Sequence, residues 1–113
     1  MKIGDYITRL TGLDQFGPMF GRGGQSALFS VDVLDVPTGT GKVFNVTVQH
    51  KNSDDTSWAT LIAFSAISST GVKTATASAI KEQLRFVFSV TGGVSPEVYD
   101  TYYINVLAPV WQP

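Results

Sequence analysis

His50 is the only histidine of the chain, and it stands close to Ser53 and Asp54, residue types that can supply a base, a nucleophile and an orienting carboxylate. Hydrolytic chemistry needs those groups in a fixed geometry, with an oxyanion-stabilising loop beside them. Ser, His and Asp adjacent in a turn rarely meet that demand, and no such loop is recognisable. A small hydrolase using His50 is therefore only an alternative reading, and the expectation is no catalytic residue and no enzyme. Zinc needs more nitrogen or sulfur ligands than one histidine can offer in a chain with no cysteine. Asp54-Asp55 lacks the spaced oxygen ligands of a calcium loop. No metal and no cofactor are expected, a subunit junction being the one place left for a metal. Gly39-Thr40-Gly41-Lys42 is similar to the end of a phosphate-cradling loop, but Val43 follows the lysine and the next element reads as a strand. Without a helix N-terminus to face a phosphate, it reads as a turn.

The aromatic residues Trp58, Tyr99, Tyr102, Tyr103 and Trp111 could line a sugar-binding face, since amphipathic rings stack on pyranose rings. Against that, Trp58 reads as core, and Tyr102 and Tyr103 must face opposite ways along one strand. Lys51 and Arg85 stand at outward strand positions, as parts of a solvated face or as contacts for a partner. Eight basic against nine acidic side chains give a formal net charge of -1. That balance disfavours nucleic acid and membrane as partners. The start of the chain lacks the apolar run of a secretory signal, so synthesis in the cytoplasm is the expectation.

The elements that must position these groups read as strands. With 113 residues, 43% hydrophobic and only 15% charged, the chain has material for one hydrophobic core. From Ala27 the pattern has period two, which sends successive side chains to opposite faces of a strand. Phe29, Val31 and Val33 share one face. Phe44, Val46 and Val48 point inward in the next run, then Leu84, Phe86, Phe88 and Val90, then Tyr102, Ile104 and Val106. Asn52 to Thr56 is a turn, with a strand expected from near Ser57. Trp58, Leu61 and Phe64 lead into a Ser/Thr/Ala-rich stretch from Ser65 to Ala79, broken at Gly71, with two short strands expected around it, and Ile80 to Gln83 could form a helical turn. The fold class expected is all-β: an antiparallel β-sandwich or jelly roll of about six to eight strands.

Residues 1–26 differ. Glycines at 17, 21, 23 and 24 and Pro18 break regular structure, while spaced apolar side chains need a surface to bury against. This reads as an extended N-terminal arm before a β-sandwich domain over 27–113, or else as strand and loop packed on that domain's own core. Candidate partner-binding residues are Ile3, Tyr6, Ile7, Leu10, Phe16, Met19, Phe20 and Arg22 of the arm, with Trp111 near the C-terminus. The loops near 37–42 and 92–98 are further candidate contacts.

Val46-Thr47-Val48-Gln49-His50 leading to Asp54-Asp55-Thr56-Ser57-Trp58, then Phe64-Ser65-Ala66-Ile67 and Gly71, then Leu84-Arg85-Phe86-Val87-Phe88, resembles small structural proteins of tailed bacteriophages. Within that group the short jelly-roll capsid decoration, or cement, proteins are the best match. The resemblance covers roughly residues 43 to 91. It implies a virion protein on the outer capsid surface, with the major capsid protein and its own copies, as homodimer or homotrimer, as partners. It implies no enzyme chemistry. A tail or baseplate component and a carbohydrate-binding β-sandwich module are the alternative readings.

Overall fold

A computed structural model describes residues 2–10, 15–36, 42–92 and 99–112, with side chains described in these ranges except at 2–10, 15, 42, 91–92 and 99–102. The described residues form ten strands and no helix: β1 (Lys2–Leu10), β2 (Gln15–Phe16), β3 (Phe20–Gly21), β4 (Ser26–Asp35), β5 (Lys42–Lys51), β6 (Ala59–Ala63), β7 (Gly71–Ser78), β8 (Gln83–Gly92), β9 (Tyr99–Leu107) and β10 (Val110–Gln112). All strand pairs are antiparallel, in two sheets packed face to face as a β-sandwich.

The pairing follows a simple plan. Because β5 pairs with β8 from end to end, β2 and β3 must share the other edge of β8, at Val87–Phe88 and Gln83–Leu84. By the same logic β7 fills one edge of β4 from Ser26 to Val33, and β9 and β10 divide the other. One sheet therefore runs β1, then β9 with β10, then β4, then β7. The other runs β2 with β3, then β8, β5 and β6. Read as nested pairs, β1 lies on β9, β2 and β3 on β8, β4 on β7, and β5 on β6. This is one long antiparallel ribbon with the 52–58 loop at its tip. Two further seams, β4 on β9 and β5 on β8, roll the ribbon closed.

Alternation along the strands explains why the ribbon rolls. Phe29, Val31 and Val33 on β4, Phe44, Val46 and Val48 on β5, Leu84, Phe86, Phe88 and Val90 on β8, and Ile104 and Val106 on β9 are all buried. These four strands meet at the two seams, so closing the seams removes their apolar faces from water together, at roughly 1.5–3 kcal/mol per large side chain. A chain of rings ties the sheets to each other. Trp111 meets Phe29 edge-on at 6.2 Å, Phe29 meets Phe86 edge-on at 6.1 Å, and Phe86 stacks with Phe20 at 6.1 Å and with Phe88 at 6.2 Å. Phe88 in turn stacks with Phe44 at 6.4 Å.

Two backbone details hold the ends of this core. A Cβ at Gly23 would lie 2.6 Å from the Trp111 ring, and one at Gly24 would run into the Gln112 carbonyl. Only glycine lets the link into β4 pass so close to β10. Between β7 and β8, Ala79 adopts the left-handed region at φ 55°. That reversal sends Ile80 into the core, 1% exposed, where a helical turn was expected.

The remaining expectations fare unevenly. The strand after the turn, β6, begins at Ala59, close to the expected Ser57, and the 65–79 stretch carries β7, a strand of eight residues that starts at the Gly71 break. Of residues 1–26, those in β1, β2 and β3 are hydrogen-bonded into the two sheets, and Ser26 already belongs to β4. These pairings describe strand and loop on the domain itself.

Phe86 touches three rings, so Phe86→Ala should lower unfolding free energy by about 3–5 kcal/mol. Phe16→Ala, at a side chain 49% exposed, should cost under about 1 kcal/mol. Urea unfolding followed by circular dichroism measures both, and equal losses would show that the ring chain is not what ties the sheets together.

Candidate functional site

Two features are built from chemistry-bearing side chains, and they sit side by side at the tip of the ribbon. The first joins the 52–58 loop to the β7–β8 turn. His50, at the end of β5, accepts a hydrogen bond at Nδ1 from the Lys81 backbone N–H (3.2 Å). Glu82 Oε1 accepts from the Ser53 N–H at 3.0 Å and from Ser53 Oγ at 3.3 Å, and the Glu82 N–H donates to Asn52 Oδ1 at 3.4 Å. Asp55 accepts from the Asn52 N–H at 2.7 Å, closing its own turn, and lies 3.6 Å from Lys81 Nζ. Every group here ties one loop to the other.

The electrostatics agree with that role. Partial burial, aided by the Lys81 charge and opposed by Asp55, holds the His50 pKa below its ordinary 6.5. The Asn52 N–H, with Lys81 in support, holds the Asp55 carboxyl below its ordinary 3.8. A neutral His50 can accept at Nδ1, and a protonated one cannot. Ser53 Oγ donates to Glu82 and not to the imidazole, and Asp54 is exposed. The base–nucleophile grouping considered from the sequence is thus not assembled. Among the described residues no group of three or more His, Asp or Glu side chains lies close enough to hold a metal ion.

The second feature lies on the outer face of the β5–β8 sheet. Arg85 on β8 is registered opposite Gln49 on β5, and its Nε donates to Gln49 Oε1 at 2.8 Å. Its guanidinium carbon lies 4.2 Å from the centroid of the Phe16 ring and 4.5 Å from that of Trp58. Lys51 Nζ is 5.3 Å from the same Trp58 ring. Phe16 comes from the lane on one side of β8, and Trp58 from beyond β5 on the other. Phe16, Arg85, Trp58 and Lys51 therefore form a cation–aromatic ladder across the sheet. The expectation that Trp58 is core is corrected here: its ring is half-buried on the outer face, because the loop after Asn52 carries it over Lys51 and Arg85.

The candidate partner-binding residues are dispersed. Ile3, Tyr6, Ile7 and Leu10 lie on β1, with Tyr6 opposite Ile104 and Ile7 opposite Tyr103, and their side chains fall outside the described residues. Met19 is 58% exposed, and Phe16 joins the ladder. Phe20 packs on Phe86, and Arg22 Nη1 donates to the Ile80 carbonyl at 2.6 Å. Trp111 lies against Phe29 and over Gly23. These last three serve the domain's own packing. Of the candidate loops, 37–41 and 93–98 lie outside the described residues, while Lys42 and Gly92 face each other across the β5–β8 pairing. Sequence reasoning placed Arg85 and Lys51 outward, but nothing in the spacing signalled that Phe16 and Trp58 would flank them.

The clasp carries a pH dependence of defined sign. With its folded pKa lowered, the folded protein binds fewer protons at His50 than the unfolded chain does around pH 6, so stability rises with pH there. The contribution is complete above about 6.5 and is lost as pH falls through the lowered folded value. Asp55 acts in the same direction at lower pH, below its ordinary 3.8. His50→Gln keeps an acceptor without a titration, so its unfolding midpoint should change less between pH 7 and pH 5 than that of the wild type. Equal slopes in urea titrations of the two proteins would remove His50 from the clasp.

Comparison of the chain with protein-family models, with curated proteins and with solved structures finds no match.

Proposed function

We propose that this chain is a structural virion protein, a capsid decoration protein that binds the outer surface of a tailed-phage capsid and braces its subunits. The observation that carries the reading is the strand order. Counting β2 with β3 and β9 with β10 as single lanes, the sheets run 1-8-3-6 and 2-7-4-5. That is the order of an antiparallel ribbon rolled into a jelly roll, an architecture used by viral capsid and lectin domains. It supports the finer fold reading and agrees with the sequence resemblance, which spans β5 to β8 and so includes the β5–β8 seam.

Two further observations support a binding role without catalysis. The polar groups around His50 are engaged with one another across two loops, leaving no nucleophile paired with a base. β7 pairs only with β4 among the described residues, so its other edge offers eight residues of backbone to a second strand. Such an edge, carrying one lysine and no proline, suits association with another copy.

A carbohydrate-binding module is the second reading, favoured by the partly exposed rings of Trp58 and Phe16. Trp111, another of the rings that could have lined a sugar-binding face, does not serve this reading, because it packs over Gly23 and against Phe29.

Co-sedimentation of the purified protein with compact and expanded capsid shells of the phage carrying its gene tests the leading reading. Saturable binding to expanded shells, at a fixed number of copies per capsid subunit, is the expected result. Absence of binding to either shell would overturn it.

A further inference from the structure

We propose that Arg85, held between Phe16 and Trp58 on the outer face of the β5–β8 sheet, is the carboxylate-binding centre of a docking surface for an acidic segment of a partner protein. The inference goes beyond the capsid reading and does not depend on which partner the protein has.

The argument begins with what is left of the guanidinium. Rings lie against it at 4.2 Å and 4.5 Å, approaching from the lanes on either side of β8, and its Nε is engaged by Gln49 at 2.8 Å. Among the described residues nothing hydrogen-bonds or pairs with the two terminal nitrogens, which form a planar fork matched to a carboxylate. Among the described residues no carboxylate pairs with that fork; the ion pair on this side of the molecule joins Lys81 to Asp55. Because Arg85 is already restrained on several sides, less rotamer freedom remains to be lost on binding.

Donor chemistry narrows the ligand. The two groups set against the Trp58 ring, the Arg85 guanidinium and the Lys51 ammonium, are donors only, and the Gln49 side-chain oxygen beside them is taken by Arg85. A neutral sugar presents hydroxyls that also need acceptors, whereas a carboxylate only accepts. Two cations on a chain of net charge -1 are too few for a nucleic acid or a sulfated polysaccharide, whose tight binders typically make about 6–10 phosphate contacts. A lone carboxylate on an open sheet face gains little in water. The fork therefore acts when a partner covers the face, with the exposed Phe16 ring and the Trp58 ring supplying apolar area around it. Arginine and tryptophan at the centre of a contact patch match the composition that dominates interface energies.

The test uses the whole chain, labelled with nitrogen-15 and titrated with an acetylated, amidated hexapeptide in which glutamate alternates with leucine, so that the probe brings apolar cover together with carboxylates. Arg85 Nε–H and Trp58 Nε1–H should shift saturably, and Arg85→Lys, which keeps the charge and loses the fork, should weaken binding about tenfold. Lys51→Gln should weaken it less. Thermal unfolding in parallel checks that Arg85→Lys, which also loses the Gln49 hydrogen bond, is fully folded at the temperature of the titration. Unchanged affinity in Arg85→Lys, shifts centred away from the ladder, or equal binding to duplex DNA would each overturn the proposal. Loss of peptide binding with capsid attachment intact would remove this face and leave the capsid reading standing.

Discussion

Everything in this fold depends on two backbone seams, β5 on β8 and β4 on β9. Hairpin-like pairing alone would produce a long two-stranded ribbon with one face of apolar side chains in water. The seams bring the four most apolar strands side by side in two sheets, and the ring chain from Trp111 through Phe29 and Phe86 to Phe44 then fills the space between. Backbone pairing and side-chain packing are mutually dependent here. Each seam alone leaves buried N–H and C=O groups or apolar rings without partners.

The same architecture decides which side chains remain for function. Inward positions on β4, β5 and β8 are committed to the core, so any recognition chemistry must come from the outward set and from the tip loops. At the tip, the His50, Ser53, Asp55, Lys81 and Glu82 groups are spent on holding two loops together. On the outer face, Arg85 and Lys51 sit beside aromatic rings that the core does not take. The clasp positions the 52–58 loop, and that loop delivers Trp58 to Arg85. A structural contact thereby sets the geometry of the face.

Much of this was legible in the sequence where a strand has one wet and one dry face. Phe29, Val31 and Val33, Phe44, Val46 and Val48, and Leu84, Phe86, Phe88 and Val90 were assigned inward, and each is buried. β7 was blurred because it is an edge strand with exposed Thr and Ser alternating with half-exposed Ala and Lys, so apolar alternation is faint. β1 was read as part of an arm because its partner, β9, lies nearly a full chain length away, and long-range pairing leaves no local mark. β2 and β3 are two residues each, too short for any period. Trp58 was misassigned because a large aromatic is usually core, and only the path of the 52–58 loop puts it outside. Of the candidate contacts, Phe16 was named for its apolar bulk, yet its placement beside Arg85 depends on β2 pairing with β8.

Native-state amide hydrogen exchange by NMR tests the rolled ribbon most directly. Backbone amides bonded across the β5–β8 and β4–β9 seams should exchange slowest and together, at the rate of global unfolding, with those of β1, β6 and β7 opening earlier. Fast exchange at either seam while the β4–β7 and β5–β6 pairs stay protected would contradict the closed sandwich and everything built on it.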